Sequence, residues 1–252
     1  MQFAIEKPME NSFLPPPMPF LTSSAVHVWS IPLGVREEIL AALRDVLDDD
    51  ERQRAARFHF ERDARRFVVA HGAVRFLLAG YAQAQARDLR FQHSSYGKPS
   101  LQDPLSDFHF SVSHSNDQAL FAVARTREVG VDIEWIREDV ETDILAERFF
   151  SPGERDSLRG LPPDQRVAAF FRCWSCKEAF LKAQGVGLSR SLDSFDVDVN
   201  VGCPARLIAT RPDASEAERW SLRELAIAKG YAAAVAVDGA FGELSTLRYG
   251  LE

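Results

Sequence analysis

Two short segments carry side chains that could do chemistry together. In Val129-Gly130-Val131-Asp132-Ile133-Glu134, alternation along a strand sends Asp132 and Glu134 to one face and Val131 and Ile133 to the other. Two carboxylates so close repel unless a cation lies between them, and hard oxygen ligands in this arrangement suit magnesium. The same D-x-E pattern also describes a solvated strand face at a sheet edge. In the run from Phe171 to Lys182 (FRCWSCKEAFLK), helical spacing puts Glu178 and Lys182 on one face, with Trp174 one turn earlier and Phe180 and Leu181 facing elsewhere. An acid and a base then share a stripe. Taken alone, that pair is an ordinary surface contact worth about 0.3–0.5 kcal/mol.

The charges around these segments are segregated. The whole chain carries a formal charge of -7, which argues against non-specific nucleic-acid binding. From Arg52 to Lys98, however, ten Lys/Arg face three Asp/Glu, whereas Glu128 to Asp164 holds four arginines against eleven acids. A polyanion could sit on the first stretch and a metal cation on the second. Other constellations are weaker. Ser113, His114 and Asp132 could build a hydrolase triad, but no G-x-S-x-G elbow supports it. Cys173-Trp174-Ser175-Cys176 has dithiol spacing, yet it lies inside a helical run rather than at a helix start, and the three cysteines lack the further Cys/His pair of a zinc site. They read as reduced thiols.

The elements that must position these residues follow from hydrophobic period. Ala25 to Trp29 alternates like a strand, Arg36 to Arg57 reads as an amphipathic helical stretch, and Asp63 to Ala86 reads as a buried helix with Arg66 and Arg75 interleaved. Tyr96-Gly97-Lys98-Pro99 is turn chemistry, since glycine permits φ > 0 and proline fixes the backbone after it. Strands follow at Phe108 to Ser113, Ala119 to Ala124 and Val129 to Ile133, helices at Arg148 to Arg159 and Ala168 to Ala183, and strands again at Phe195 to Val201, Ala205 to Ile208, Trp220 to Leu225 and Tyr231 to Val237. Each half holds a long aromatic-rich helix and closes on a small-residue strand, ALFAVA or YAAAVAV, which suggests a duplicated α+β chain. With 252 residues and 46% hydrophobic content the chain can bury a large core. The proline-rich, acidic start is unlike a signal peptide, and the apolar runs are too short to span a bilayer, so a cytoplasmic protein is expected.

The two chemical segments, in this order, resemble the signature of the phosphopantetheinyl transferase superfamily: a G-[VI]-D-x-E strand followed by [FW]-[SC]-x-K-E-[AS]-x-x-K. Here these are Gly130 to Glu134 and Trp174 to Lys182. Similarity to the Sfp-type branch extends through Tyr96-Gly97-Lys98-Pro99, Phe110-Ser111-Val112-Ser113-His114-Ser115, Arg148-Phe149-Phe150-Ser151 and Gly185-Val186-Gly187-Leu188, covering about residues 25 to 240. The resemblance implies an α+β fold, a pseudo-dimer of two similar α+β lobes with the active site in the cleft between them. The corresponding division is a lead over 1–24, a nucleotide-side lobe over 25–128 and a metal-side lobe over 129–252.

It also implies the reaction: a serine of an apo acyl, peptidyl or aryl carrier protein attacks coenzyme A, takes its 4'-phosphopantetheine and releases 3',5'-ADP with Mg2+ as cofactor. Service to polyketide or nonribosomal peptide synthesis is expected, from a monomer that needs neither nucleic acid nor membrane. By the same resemblance Asp132, Glu134 and Glu178 hold the metal and Lys182 reaches the phosphates. Glu178, directly or through a bound water, and Glu154 are the candidate bases, with Glu178 preferred. Lys98, Pro99, Ser113 and His114, with Arg54 and Arg66, match nucleotide-binding positions, while Arg52, Arg57, Arg62 and Arg65 could substitute for either arginine. Two departures, the acids from Asp48 to Glu51 and Phe67 in place of a hydroxyl residue, weight nucleotide binding toward Lys98 and His114. The competing reading is a non-catalytic module that binds coenzyme A or a carrier; binding alone would not require three carboxylates and Lys182.

Overall fold

The computed structural model describes residues 17–200 and 202–251. The first half of the chain runs β1 (Ala25–Pro32), α1 (Glu37–Asp45), α2 (Asp49–Ala56), α3 (Glu61–Ala82), β2 (Phe91–His93), β3 (Pro99–Leu101), β4 (Phe108–Ser115) and β5 (Gln118–Arg125). The second runs β6 (Val129–Trp135), α4 (Thr142–Phe149), α5 (Pro152–Gly160), α6 (Pro163–Gln184), β7 (Phe195–Val197), β8 (Leu207–Thr210), α7 (Glu216–Arg219), β9 (Trp220–Glu224) and β10 (Tyr231–Asp238). Each half thus contains a strand, two short helices, a 22-residue helix, a two-stranded hairpin and two further strands, the second half adding the single turn of α7 before the last two. The sheets repeat as well: β1-β5-β4 in one and β6-β10-β9 in the other, every pair antiparallel. This is an α+β pseudo-dimer.

Two helix boundaries are set by capping side chains. The stretch from Arg36 to Arg57 is two helices, because Asp48 accepts from the Glu51 amide while Glu51 accepts from the Asp48 amide, a capping box that opens α2. Arg148 to Arg159 is likewise divided, since Ser151 and Glu154 form the same reciprocal pair at the start of α5. The predicted turn at Tyr96 to Pro99 links β2 and β3, with Gly97 at φ +83°. Of the lead, residues 1–16 lie outside the described residues, as does Val201; Met18 packs against Gly80 of α3 and Leu21 is buried. No helix among the described residues is long and apolar enough to cross a membrane.

Alternation in the strands feeds three packed layers of contact. Val26, Val28, Leu120 and Ala122 of the first sheet meet Val131, Ile133 and Val235 of the second, forming a core between the sheets. The outer face of the first sheet takes α3, through Trp29, Phe121, Ala73 and Leu77. The outer face of the second takes α6 on the alanines of β10, with Ala179 and Ala183 against Ala234 and Ala236. Helices therefore cover both outer faces of the paired sheets.

A further strand also breaks the two-fold repeat. β11 (Glu243–Arg248) returns to the first sheet and pairs in parallel with β1, from Ala25↔Glu243 to Ser30↔Arg248. The end of the described chain is therefore part of the first sheet, whereas a simple division at residue 128 would assign it to the second lobe.

The contact of α6 with β6 admits no side chain at residue 130. A methyl on Gly130 would overlap the Ala179 carbonyl oxygen and the Ala183 amide nitrogen. Gly130 shares its strand face with Asp132 and Glu134, so this close approach lays α6 across the carboxylates. Gly130→Ala is expected to destabilise the protein by about 3 kcal/mol through overpacking, measured by denaturant unfolding; an unchanged midpoint would show that α6 is not seated on Gly130.

Candidate active site

The two motifs meet across fifty residues of sequence. Lys182 Nζ lies 2.6 Å from Asp132 Oδ1 and 2.9 Å from Ser113 Oγ, and Ser113 donates to the same Asp132 oxygen at 2.8 Å. Asp132 is buried, and its second oxygen, Oδ2, has no hydrogen-bond partner. Burial, and then the charge of Asp132, push the Glu134 carboxyl up to about 7, although it accepts a hydrogen bond from Ser115 Oγ at 3.0 Å. Burial and Asp132 likewise push Glu178 upward, with Lys182 opposing them. Three carboxylates thus share one ammonium in a half-buried place, an excess of negative charge.

These residues fit a divalent cation in donor chemistry. The orphaned Asp132 Oδ2 is a buried acceptor of the kind that metal coordination satisfies, and all three side chains offer hard oxygens. Among the described residues no three acidic, histidine or cysteine side chains are gathered as a ready ligand cage. Lys182 holds Asp132 Oδ1.

Beside this cluster a cavity of about 750 Å³ opens between the lobes. Its C-terminal-lobe wall includes Leu181 and Lys182, and its opposite wall includes Arg54, Arg57, His71, Pro99 and His114. The Arg54 guanidinium lies over the Phe67 ring at 5.2 Å, and that ring also stacks on His71 at 3.9 Å and meets Phe58 at 5.5 Å. The surrounding protein, then the charges of His71, Lys182 and Arg66, push the His114 imidazole below its ordinary value. Ser113 faces Asp132 while its neighbour His114 faces the cavity, as strand alternation requires, so these residues do not form a hydrolase triad. The buried thiols of Cys173 and Cys176 are both pushed up by burial, Cys176 to about 12, opposite to a reactive dithiol.

Three expected site residues are engaged elsewhere. Glu154 is sealed at 2% exposure: one oxygen caps α5, and the other accepts from the Val197 amide at 2.8 Å and pairs with the fully buried Lys177 at 2.8 Å. A carboxylate so enclosed is not placed to take a substrate proton, contrary to the expectation for Glu154 as a base. Arg66 does not line the cavity; its guanidinium donates to Asn116 Oδ1 at 2.9 Å. Lys98 contributes its stem to the cavity, but its ammonium binds Glu128 (2.5 Å) and the carbonyls of Ala183 (2.7 Å) and Val129 (3.3 Å), which makes it a clamp between lobes. Burial pushes Glu128 up, yet the His109 hydrogen bond and Lys98 outweigh it and hold the carboxyl at about 2.

Of the substitute arginines, Arg52, Arg62 and Arg65 form surface ion pairs with Asp49, Asp63 and Glu37, while Arg57 lines the cavity. His71 was missed by sequence reasoning; its spacing of four from Phe67 on α3 was the available signal. The Glu154 assignment can be tested directly. Glu154→Gln leaves the Lys177 ammonium buried without its counter-charge and should cost about 3 kcal/mol of stability by chemical denaturation. Catalysis by the folded fraction should persist, and a stable but inactive variant would restore Glu154 as a base.

Known proteins match along the same lines as the two lobes. The family model described as the 4'-phosphopantetheinyl transferase superfamily matches residues 128–236, and the model of the 4'-phosphopantetheinyl transferase N-terminal region matches residues 34–126. The chain is 40% identical over 234 residues to the 4'-phosphopantetheinyl transferase HetI of Nostoc sp., covering 92% of this chain and 95% of that one. It is 36% identical over 151 residues to the 4'-phosphopantetheinyl transferase Sfp of Bacillus subtilis, covering 60% and 66%. The L-aminoadipate-semialdehyde dehydrogenase-phosphopantetheinyl transferase of Mus musculus is 28% identical over 228 residues, covering 83% of this chain and 74% of its own. Both halves of the chain, and the carboxylate strand and lysine helix that join them, belong to the 4'-phosphopantetheinyl transferase superfamily.

Proposed function

We propose that this enzyme moves the 4'-phosphopantetheine of coenzyme A onto a serine of an apo-carrier protein, with Asp132, Glu134 and Glu178 holding Mg2+ and the interlobe cavity holding the nucleotide. The observation that carries the reading is the meeting of strand and helix motifs at Lys182 and Asp132, 2.6 Å apart, beside an unsatisfied Asp132 oxygen. The bound Mg2+ would neutralise charge on the pyrophosphate. Everything else falls to side chains of this chain. The carrier serine oxygen attacks the phosphorus that bears pantetheine, the bond from that phosphorus to the bridging oxygen breaks, and 3',5'-ADP leaves.

Lys182 sits at the cavity wall with an ammonium that can exchange Asp132 for phosphate oxygens. Glu178 accepts the serine proton. Burial, then the charge of Asp132, raise its proton affinity in the metal-free cluster, and with the cation held there the proton is taken directly or through a bound water. On the opposite wall, Arg54 and His114 supply cationic and hydrogen-bonding groups for the ribose phosphate, and Pro99 shapes the cavity beside them. The proposed division is a nucleotide-side lobe and a metal-side lobe, joined along β4 and β6. The favoured carriers are acyl, peptidyl or aryl carriers of polyketide and nonribosomal peptide synthesis, and the favoured state is a cytoplasmic monomer.

Incubation with coenzyme A, Mg2+ and an apo-carrier should add one phosphopantetheine to the carrier, read as a mass increase. Glu178→Gln should abolish that increase with the fold intact; near wild-type turnover would remove Glu178 as the base. A wild-type protein that binds coenzyme A without modifying any carrier would favour the non-catalytic module. For the nucleotide wall, Arg54→Ala should weaken coenzyme A affinity about tenfold, in line with loss of one charge-assisted contact. Lys98→Ala should lower thermal stability more than affinity, and the reverse ranking would return Lys98 to the phosphate site.

A further inference from the structure

β4 and β6 lie side by side at the seam of the lobes but belong to different sheets. Serine side chains bridge them. Ser111 Oγ accepts from the Val131 amide at 3.1 Å, Ser113 Oγ donates to Asp132, and Ser115 Oγ accepts from the Trp135 amide at 3.0 Å. The serines recur every second residue on one face of β4, in step with the carboxylates on β6. Two hydroxyls two residues apart therefore meet two carboxylates two residues apart.

Ser115 has a single hydroxyl proton. Because the Trp135 amide points at its oxygen, that proton is directed away from the backbone, and it goes to Glu134 Oε2 at 3.0 Å. The strand end that presents Ser115 is itself fixed from both lobes. Asn116, in the left-handed region at φ +52°, takes the Arg66 hydrogen bond, and Tyr231 of β10 donates to Asp117. Glu134 stands near the exposed end of β6, where a three-torsion side chain would otherwise be free to sample several rotamers.

We propose that Ser115 is a positioning residue that holds Glu134 in the orientation required for binding the divalent cation. The assignment rests on the reading of Glu134 as a metal ligand. Ser115 is not a catalytic residue, since it acts through Glu134. Outer hydrogen bonds of this kind restrict a ligand to one orientation, and their removal typically lowers metal affinity about 10–100-fold.

Mn2+ binding, read by electron paramagnetic resonance with and without coenzyme A, tests this without reliance on turnover. Glu134→Gln should weaken Mn2+ binding. Ser115→Ala and the similarly sized Ser115→Cys should each weaken it about tenfold, and Ser115→Thr, which keeps the hydroxyl, should restore it. The Ser115→Ala/Glu134→Gln double variant should bind no more weakly than Glu134→Gln alone. If Glu134→Gln weakens binding while both Ser115→Ala and Ser115→Cys bind as wild type, the positioning role falls and the metal reading stands. Additive losses in the double variant also overturn it, because Ser115 would then act by a route other than Glu134. If Glu134→Gln itself leaves Mn2+ binding unchanged, both readings fall.

Discussion

The contact between α6 and β6 is the constraint from which the rest of the site follows. A helix carrying Lys182 and Glu178 can reach a strand carrying Asp132 and Glu134 only where both surfaces are nearly bare. Gly130 on the strand and Ala179 and Ala183 on the helix provide that bareness, and the alanines of β10 extend it. Charged side chains at the edge of this contact are then forced into one another's company. Proximity here is a product of small residues, whereas the large ones, Phe180 and Phe195 among them, fill the remainder of the helix surroundings.

Buried charge is used in two distinct ways. Lys177 with Glu154, and Arg75 with Asp48 and Glu51, are closed systems: every carboxylate touches a cation and the cations' further hydrogen bonds go to backbone carbonyls. Such networks fix α5 to α6 and α2 to α3. The cluster at Asp132 is open, with more carboxylate than ammonium and one oxygen left unsatisfied. An open cluster costs folding free energy and keeps its capacity for a cation. The adjacent Lys177 and Glu178 illustrate the contrast, since one helical position apart they face a sealed core and the Asp132 cluster respectively.

The fold was largely legible because its strands alternate and its two long helices are apolar on the required side. The closing strands ALFAVA and YAAAVAV do occupy equivalent places, as β5 and β10 at the centre of their three-strand repeats. The carboxylate strand and lysine helix were legible for a local reason, because spacing of two and four residues fixes which side chains share a face. Local pattern was silent where a long-range partner engages the side chain. Arg66, Lys98 and Glu154 have the right chemistry for a site, but Asn116, Glu128 and Lys177 claim them, and no local pattern names those partners. Glu154 carried a warning in Ser151-Pro152-Gly153-Glu154, a capping-box sequence that also explains the break between α4 and α5. The strand β11, short and half-polar, offered little period to read.

That last strand gives the chain an order of assembly. β1 lies between β5 and β11, so the first sheet holds one partner early in synthesis and obtains the other only after residues 243–248 have been made. The second sheet contains all of its own strands before that point. Between these moments β1 presents an unpaired edge, including the backbone groups that later bond to β11, and such an edge is open to association with other strands. The first sheet therefore lacks its full set of strands until residues 243–248 are in place, whereas the second needs nothing beyond Asp238.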